Sequence, residues 1–202
     1  VTPALLLLNG EISQPAEIKR LARDCFVVCT DGGLRHAKRL KITADVVIGD
    51  MDSLPKPLPK LRDTSFLCDF DEERSDFDKA LAWLQQAGPG EVFIAGALGG
   101  RLDHTLVNLA LIGTYAKSMP LTLVGEGRGK IVGPGKHTLK DAKGHTFSLL
   151  PLGSSAVVST TGLKYALNKE TLRPGSRGLS NIGTRQRAQV HVHSGKIWLI
   201  RN

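Results

Sequence analysis

Through the first 125 residues, short apolar runs alternate with amphipathic stretches. Residues 4–9 predict a strand, and residues 15–24 a helix with a proline near its first turn. A second apolar run over 25–30 leads into Asp31-Gly32-Gly33 and a helical stretch over 34–40. Residues 46–48 form a short apolar run that opens onto Gly49-Asp50-Met51-Asp52-Ser53. Ser75 precedes a stretch in which Phe77, Leu81 and Leu84 fall on one helical face beside Ala80, so it reads as a capping residue. A strand over 91–95, a helix over 102–116 carrying Leu106, Leu109, Ala110 and Ile112, and a strand over 121–124 complete the series. Alternation at this spacing predicts an α/β layer with a mainly parallel sheet.

Beyond Gly125 the periodicity changes from helical to two-residue. Alternating segments over 145–150, 156–160, 188–193 and 197–200 are separated by glycine-rich turns, and no stretch reads as a helix. That pattern predicts an antiparallel sandwich or small barrel, with a domain boundary between 125 and 135. The proline-dense stretch over 53–59 reads as a stiff loop.

The 202 residues give room for two unequal domains, and 23% charged with 41% apolar residues is a globular composition. The longest apolar run, residues 4–8, is too short to span a bilayer, and no secretory leader is expected. Three cysteines, Cys25, Cys29 and Cys68, neither complete a disulfide framework nor show zinc-site spacing, so a reducing, cytoplasmic setting is expected. The net charge of +8 invites a nucleic-acid reading until its distribution is considered. Residues 45–78 hold ten acids against four bases, a local charge of −6 that leaves +14 on the rest of the chain. Beyond Gly125 the only aromatics are Phe147, Tyr165 and Trp198, too few to interleave with thirteen bases as stacking platforms for nucleic acid.

Asp31, Asp50, Asp52 and Asp76 all fall at expected strand ends or helix starts, where an open α/β sheet gathers residues distant in sequence. Carboxylates gathered in one crevice repel unless a cation neutralises them, and hard oxygen ligands suit Mg²⁺ shared with substrate phosphates. Gly96-Ala97-Leu98-Gly99-Gly100-Arg101-Leu102-Asp103-His104 follows a strand and opens a helix, a setting that lets backbone and guanidinium approach phosphate. Other phosphate signatures fail. Gly133-Pro134-Gly135-Lys136-His137-Thr138 has Lys130 where the first glycine is needed and His137 where a hydroxyl must follow the lysine. His191 and His193 share a strand face with no third ligand evident, and read as solvent-facing.

Thr30-Asp31-Gly32-Gly33, Gly49-Asp50-Met51-Asp52-Ser53-Leu54, Ser75-Asp76-Phe77-Asp78-Lys79-Ala80-Leu81 and Gly99-Gly100-Arg101-Leu102-Asp103-His104-Thr105-Leu106-Val107-Asn108 occur in the order and spacing of the thiamine pyrophosphokinase family, which the chain resembles along its whole length. Thr161-Gly162-Leu163-Lys164-Tyr165 and Leu179-Ser180-Asn181 are similar to that family's C-terminal motifs. The resemblance implies a Rossmann-like α/β/α catalytic domain over 1–125 and a β-sandwich over 126–202 that binds thiamine. It implies Mg²⁺-dependent transfer of the pyrophosphoryl group of ATP to thiamine by a homodimer, releasing AMP. Carried over by position, Asp31, Asp50, Asp52 and Asp76 are implied metal and phosphate ligands, and Asp50, Asp52, Asp76 and Arg101 the catalytic set. Asp31, Ser53, Ser75, Arg101, Asp103 and His104 are implied ATP-side contacts, and Tyr165, Ser180 and Asn181 thiamine-side contacts. Ser75 replaces a more usual threonine, Glu72 stands where many bacterial members have lysine, and Tyr165 where some have tryptophan. A related enzyme acting on a pterin is the alternative within the same chemistry.

Overall fold

The computed structural model describes residues 1–54, 56–57, 59 and 61–202. The stiff loop expected over 53–59 therefore lies partly outside the described residues, at Pro55 and Leu58. The chain forms two compact units, Val1–Glu126 and Gly127–Asn202.

In the first unit the elements follow as β1 (Ala4–Leu7), α1 (Pro15–Leu21), β2 (Phe26–Thr30), α2 (Leu34–Leu40), β3 (Val46–Gly49), β4 (Ser65–Cys68), α3 (Asp76–Ala87), β5 (Val92–Ala95), α4 (Leu102–Tyr115) and β6 (Leu121–Val124). The strands lie in the order β6-β5-β1-β2-β3-β4, and every ladder is parallel. Among the described residues of this unit, β4 is the strand that the hydrophobic pattern does not suggest. It is a sheet edge, its residues are mostly exposed, and so it needs no apolar run.

Alternate residues of the strands serve opposite faces. Leu5, Leu7, Val27, Cys29 and Val47 join Ile18 and Leu21 of α1 and Leu34, Ala37 and Leu40 of α2 in one core cluster. Leu6, Val28, Ile48 and Ile94, equally buried, point the other way, and α3 packs against β2 and β3 outside that cluster. Ser75 caps α3 as its position predicts, with its Oγ accepting from the Asp78 amide at 3.3 Å. Asp78 also accepts hydrogen bonds from Arg74 Nε at 3.1 Å and Tyr115 Oη at 2.6 Å, tying the start of α3 to the end of α4.

Burial pushes the Asp78 carboxyl up, but the hydrogen bonds from Arg74 and Tyr115 outweigh it and hold the group below the usual carboxylate range. A carboxyl depressed in the folded state stabilises fully above its unfolded value of about 4, and that contribution fades as pH falls through the folded value. Tyr115→Phe should therefore lose about 1 kcal/mol at neutral pH and less near pH 3, read from urea unfolding at both. An equal loss at both would separate the tyrosine from the ionised carboxylate.

The thiols should react in a graded order. Cys29 is fully buried and its thiol is pushed up to about 12 by burial, with the Asp45 charge adding to it. Cys25 is half-buried and raised by burial and by Asp24 and Glu91, whereas Cys68 is exposed. Iodoacetamide at neutral pH should modify Cys68 first, Cys25 slowly and Cys29 only after denaturation, as followed by peptide mass spectrometry.

The second unit comprises β7 (Arg128–Val132), β8 (Gly135–Lys140), β9 (Thr146–Thr161), β10 (Glu170–Leu172), β11 (Asn181–Ile182) and β12 (Arg187–Arg201), and its named ladders are all antiparallel. Two pairs of segments that read as separate strands are each continuous. β9 runs through Gly153 (φ 93°), and β12 runs through Gly195 (φ 76°). At Gly195 the ladder shifts register instead of ending, so the glycine marks a bulge where the pattern suggested a turn. The core is built from alternating residues, among them Phe147, Leu149, Val158, Val190, Val192 and Ile197. Among the described residues, no helix is long and apolar enough to cross a membrane.

Candidate active site

In the first unit all strands are parallel, so the segments after β1, β2, β3 and β5 leave from one edge of the sheet. The chain order reverses between β1 and β5, and ligands of open α/β sheets bind at such a switch point. The loops there are tied together: Gly10 N donates to Gly96 O and Glu11 N to Leu98 O, both at 2.8 Å. Asn108 Nδ2 of α4 donates to Ala97 O at 2.9 Å, fixing the glycine-rich loop against its helix.

Asp31 follows β2, Asp50 follows β3 and Asp76 opens α3, and one carboxylate oxygen of each lies within 4.8 Å of the others. Asp31 is buried and held by two backbone amides, Gly32 N and Ser53 N, the second at 3.2 Å. Asp50 Oδ1 accepts from Asp52 N at 2.9 Å. The turn carrying Asp50 passes through Met51, a buried non-glycine residue at φ 64° whose carbonyl accepts from Lys56 Nζ at 2.9 Å. Gly49 adopts φ 154°, and a Cβ there would lie 2.9 Å from the Asp76 carboxyl carbon. Glycine is thus required both by the backbone and by the approach of α3.

Three acids this close strain against one another. Burial raises the Asp76 carboxyl first, and the hydrogen bond and charge of Asp31 add to it; Lys79 opposes, Asp50 contributes further, and the group reaches about 7. Burial and the neighbouring Asp31 carboxylate thus both favour the protonated form of Asp76. The cation that the chain itself supplies is Lys79, one helical turn beyond Asp76. Its side chain is only 3% exposed, and its Nζ donates to Asp69 O at 2.8 Å and to Asp76 Oδ1 at 3.5 Å.

The structure does not bring every expected ligand into this cluster. Asp52 is exposed, accepts from Ser53 Oγ at 3.0 Å and stands outside the trio. Ser75 is occupied as the α3 cap. Arg101 and Asp103 form an exposed pair at 2.6 Å at the start of α4, and the His104 amide donates to Asp103. The Arg101 hydrogen bond comes first in holding the Asp103 carboxyl down at about 2.

In the second unit the Asn181 side chain is buried and engaged at both ends with backbone. Its Oδ1 accepts from Tyr165 N (2.9 Å) and Ile182 N (3.0 Å), and its Nδ2 donates to Tyr165 O (2.7 Å). Asn181 thus clamps the segment that presents the exposed Tyr165 ring, over which Lys164 Nζ sits at 5.4 Å. Ser180 adopts φ 56° beside it, and its amide donates to Ser148 Oγ. His191 and His193 are half-buried and lie side by side with ring centroids 4.0 Å apart, and His193 Nε2 pairs with Ser159 Oγ at 2.8 Å.

Residues 18–123 match the family model described as thiamin pyrophosphokinase, catalytic domain, and residues 136–197 match the one described as thiamin pyrophosphokinase, vitamin B1 binding domain. The chain belongs to the thiamin pyrophosphokinase family. Thiamine pyrophosphokinase 1 of Oryza sativa subsp. japonica is 25% identical over 206 residues, covering 86% of this chain and 77% of the relative. Thiamine pyrophosphokinase of Bacillus subtilis is 26% identical over 163 residues, covering 76% of each. In fold, the chain is similar to the crystal structure of the Bacillus subtilis thiamine pyrophosphokinase, with a TM-score of 0.84, 22% identity and coverage of 99% and 98% of the two chains. The Candida albicans thiamin pyrophosphokinase is similar at a TM-score of 0.81 and 16% identity, covering 99% of this chain and 88% of that one.

The residue beside this cluster that motif reading overlooks is Lys79. The residue stands inside the Ser75–Leu81 motif, three positions after Asp76, a spacing that places both on one helical face. What the pattern does not convey is that the lysine is buried, because lysine almost always reaches water.

Proposed function

We propose that this chain transfers the pyrophosphoryl group of ATP to the hydroxyl of thiamine, giving thiamine diphosphate and AMP, and that it does so with Mg²⁺ as a cytoplasmic homodimer. The observation that carries the reading is the convergence of Asp31, Asp50 and Asp76 at one sheet edge, in a chain matched by both the catalytic and the vitamin B1 binding models. The finer architecture belongs to the same reading: a Rossmann-like first unit ending near residue 125, and a β-sandwich in which the long strands β9 and β12 bend between layers.

The donor set fits a hard divalent cation. It offers oxygen ligands only, and a cation would offset the part of the upward push on Asp76 that the neighbouring Asp31 and Asp50 carboxylates add to burial. Bound there, Mg²⁺ would offset the charge that accumulates on phosphate oxygens during attack at the β-phosphorus. Asp31, fixed by two amides, provides the rigid ligand, while Asp50 and Asp76 close the set. Arg101 presents a planar fork to phosphate, with Asp103 holding its orientation. Asp52, Ser53, Ser75 and His104 line the ATP side in this reading, and Tyr165 and Ser180 meet thiamine while Asn181 holds Tyr165 in place. The homodimer is supported by α4, which exposes Leu102, Leu106 and Val107 and fully buries only Ile112.

Offering thiamine and a hydroxymethylpterin side by side with ATP and Mg²⁺ tests the acceptor, with products separated by chromatography. Thiamine alone should be consumed; turnover of the pterin in its place would overturn the acceptor assignment.

A further inference from the structure

α2 opens directly after Asp31-Gly32-Gly33, and its first turn reaches across to the loop that follows β1. His36 is only 6% exposed, and its Nε2 lies 2.8 Å from Gly10 O. Arg35 Nη2 donates to Asn9 O in the same loop. Gly10 in turn holds the glycine-rich loop after β5, its amide donating to Gly96 O at 2.8 Å. A Cβ on Gly10 would lie 2.4 Å from both Gly96 O and Leu98 O, so the two loops touch backbone to backbone and residue 10 must be glycine.

The protonation of the His36 ring follows from its partners. Arg39 Nη2 lies 3.3 Å from Nδ1, and a guanidinium can only donate, so Nδ1 carries a lone pair. The ring proton then sits on Nε2 and points to the Gly10 carbonyl. A doubly protonated ring would set Nδ1–H against an Arg39 N–H, so the neutral form is the one that fits. Burial first lowers the imidazole below its ordinary value; the Gly10 carbonyl opposes, and the Arg35 and Arg39 charges add to the lowering.

Packing alone asks only for an apolar residue here, as Leu34, Ala37 and Leu40 supply elsewhere on the buried side of α2. Histidine adds a directional bond, and that bond ends on the residue that touches the glycine-rich loop. Asn108 of α4 grips the same loop at Ala97 O, so side chains from two helices hold it. We propose that His36 is a positioning residue for the glycine-rich loop, acting through Gly10 to fix the backbone over residues 96–101 where the nucleotide phosphates bind. The identity of that ligand rests on the transfer proposed above, whereas the coupling of His36 to the loop does not.

His36→Leu, which keeps the position filled, should raise KM for ATP about tenfold, hold kcat within about twofold and leave KM for thiamine unchanged. A variant that is merely less stable would lose kcat with its folded fraction and keep its KM. His36→Gln, whose Nε2 can donate to Gly10 O, should recover most of the affinity for ATP. Hydrogen exchange at the Gly10 and Glu11 amides should speed up about tenfold in His36→Leu and much less in His36→Gln, with circular dichroism unchanged. In the unsubstituted protein, proton–nitrogen correlation NMR should find His36 as the neutral Nε2–H tautomer at neutral pH, a measurement that needs no variant to fold. The parent's KM for ATP or the parent's exchange in His36→Leu, or an Nδ1–H or doubly protonated ring at neutral pH, would overturn the assignment. Faster exchange in His36→Leu beside a parent that releases no AMP would overturn the transfer and leave His36 holding the loop.

Discussion

Asp50→Asn should abolish AMP release by roughly 10³-fold while leaving the metal-free protein as stable as the parent or more so. The two effects have one cause. Without a cation, Asp31, Asp50 and Asp76 repel across less than 4.8 Å, and neutralising one of them relieves that repulsion. With the cation, the same carboxylate is a ligand, and its loss removes charge stabilisation at the transferring phosphate. Circular dichroism and thermal melts with and without Mg²⁺ separate these cases. The parent should gain stability on adding Mg²⁺, and Asp50→Asn should gain little. A variant that melts like the parent, responds to Mg²⁺ like the parent and turns over normally would remove Asp50 from the centre.

Lys79→Met should act in the opposite sense. The substitution keeps an unbranched apolar stem one atom shorter, but leaves the Asp69 carbonyl without its donor and the trio without its resident positive charge. Breaking an interaction of this kind costs about 3 kcal/mol when it is buried, and the partial exposure of Asp76 brings the expected loss nearer 2 kcal/mol. The revealing measurement is the response to Mg²⁺. Because the unbalanced trio has more repulsion to relieve, the melting temperature of Lys79→Met should rise further with Mg²⁺ than that of the parent. Lys79→Arg, which restores the charge, should recover part of the metal-free stability. An equal Mg²⁺ response in Lys79→Met and the parent would reduce the lysine to a packing residue.

The parts of the fold that were legible in the chain are those whose periodicity is strong. The buried runs of β1, β2, β3, β5 and β6 and the amphipathic face of α3 lie within a few residues of their expected positions, because core burial on both sides of a parallel sheet enforces them. β4 escaped because an exposed edge strand has no apolar requirement. β9 and β12 were read as four strands because Gly153 and Gly195 resemble turn residues, and only the partner strand decides whether such a glycine bends a ladder or ends it. At the site, the three clustered aspartates were recognisable from their positions at strand ends and a helix start. The separation of Asp52 from them was not, since two carboxylates one residue apart in a tight turn look equivalent until the left-handed Met51 between them sends them different ways. The tail was least legible: Asn181 was expected to touch thiamine, yet its amide is engaged with the backbone around Tyr165, a pairing that spans sixteen residues.

The identity and ratio of the products formed from ATP, thiamine and Mg²⁺ test the transfer itself. AMP and thiamine diphosphate should form in equal amounts, because attack falls on the β-phosphorus. ADP accompanied by thiamine monophosphate would place the attack on the γ-phosphorus and contradict it.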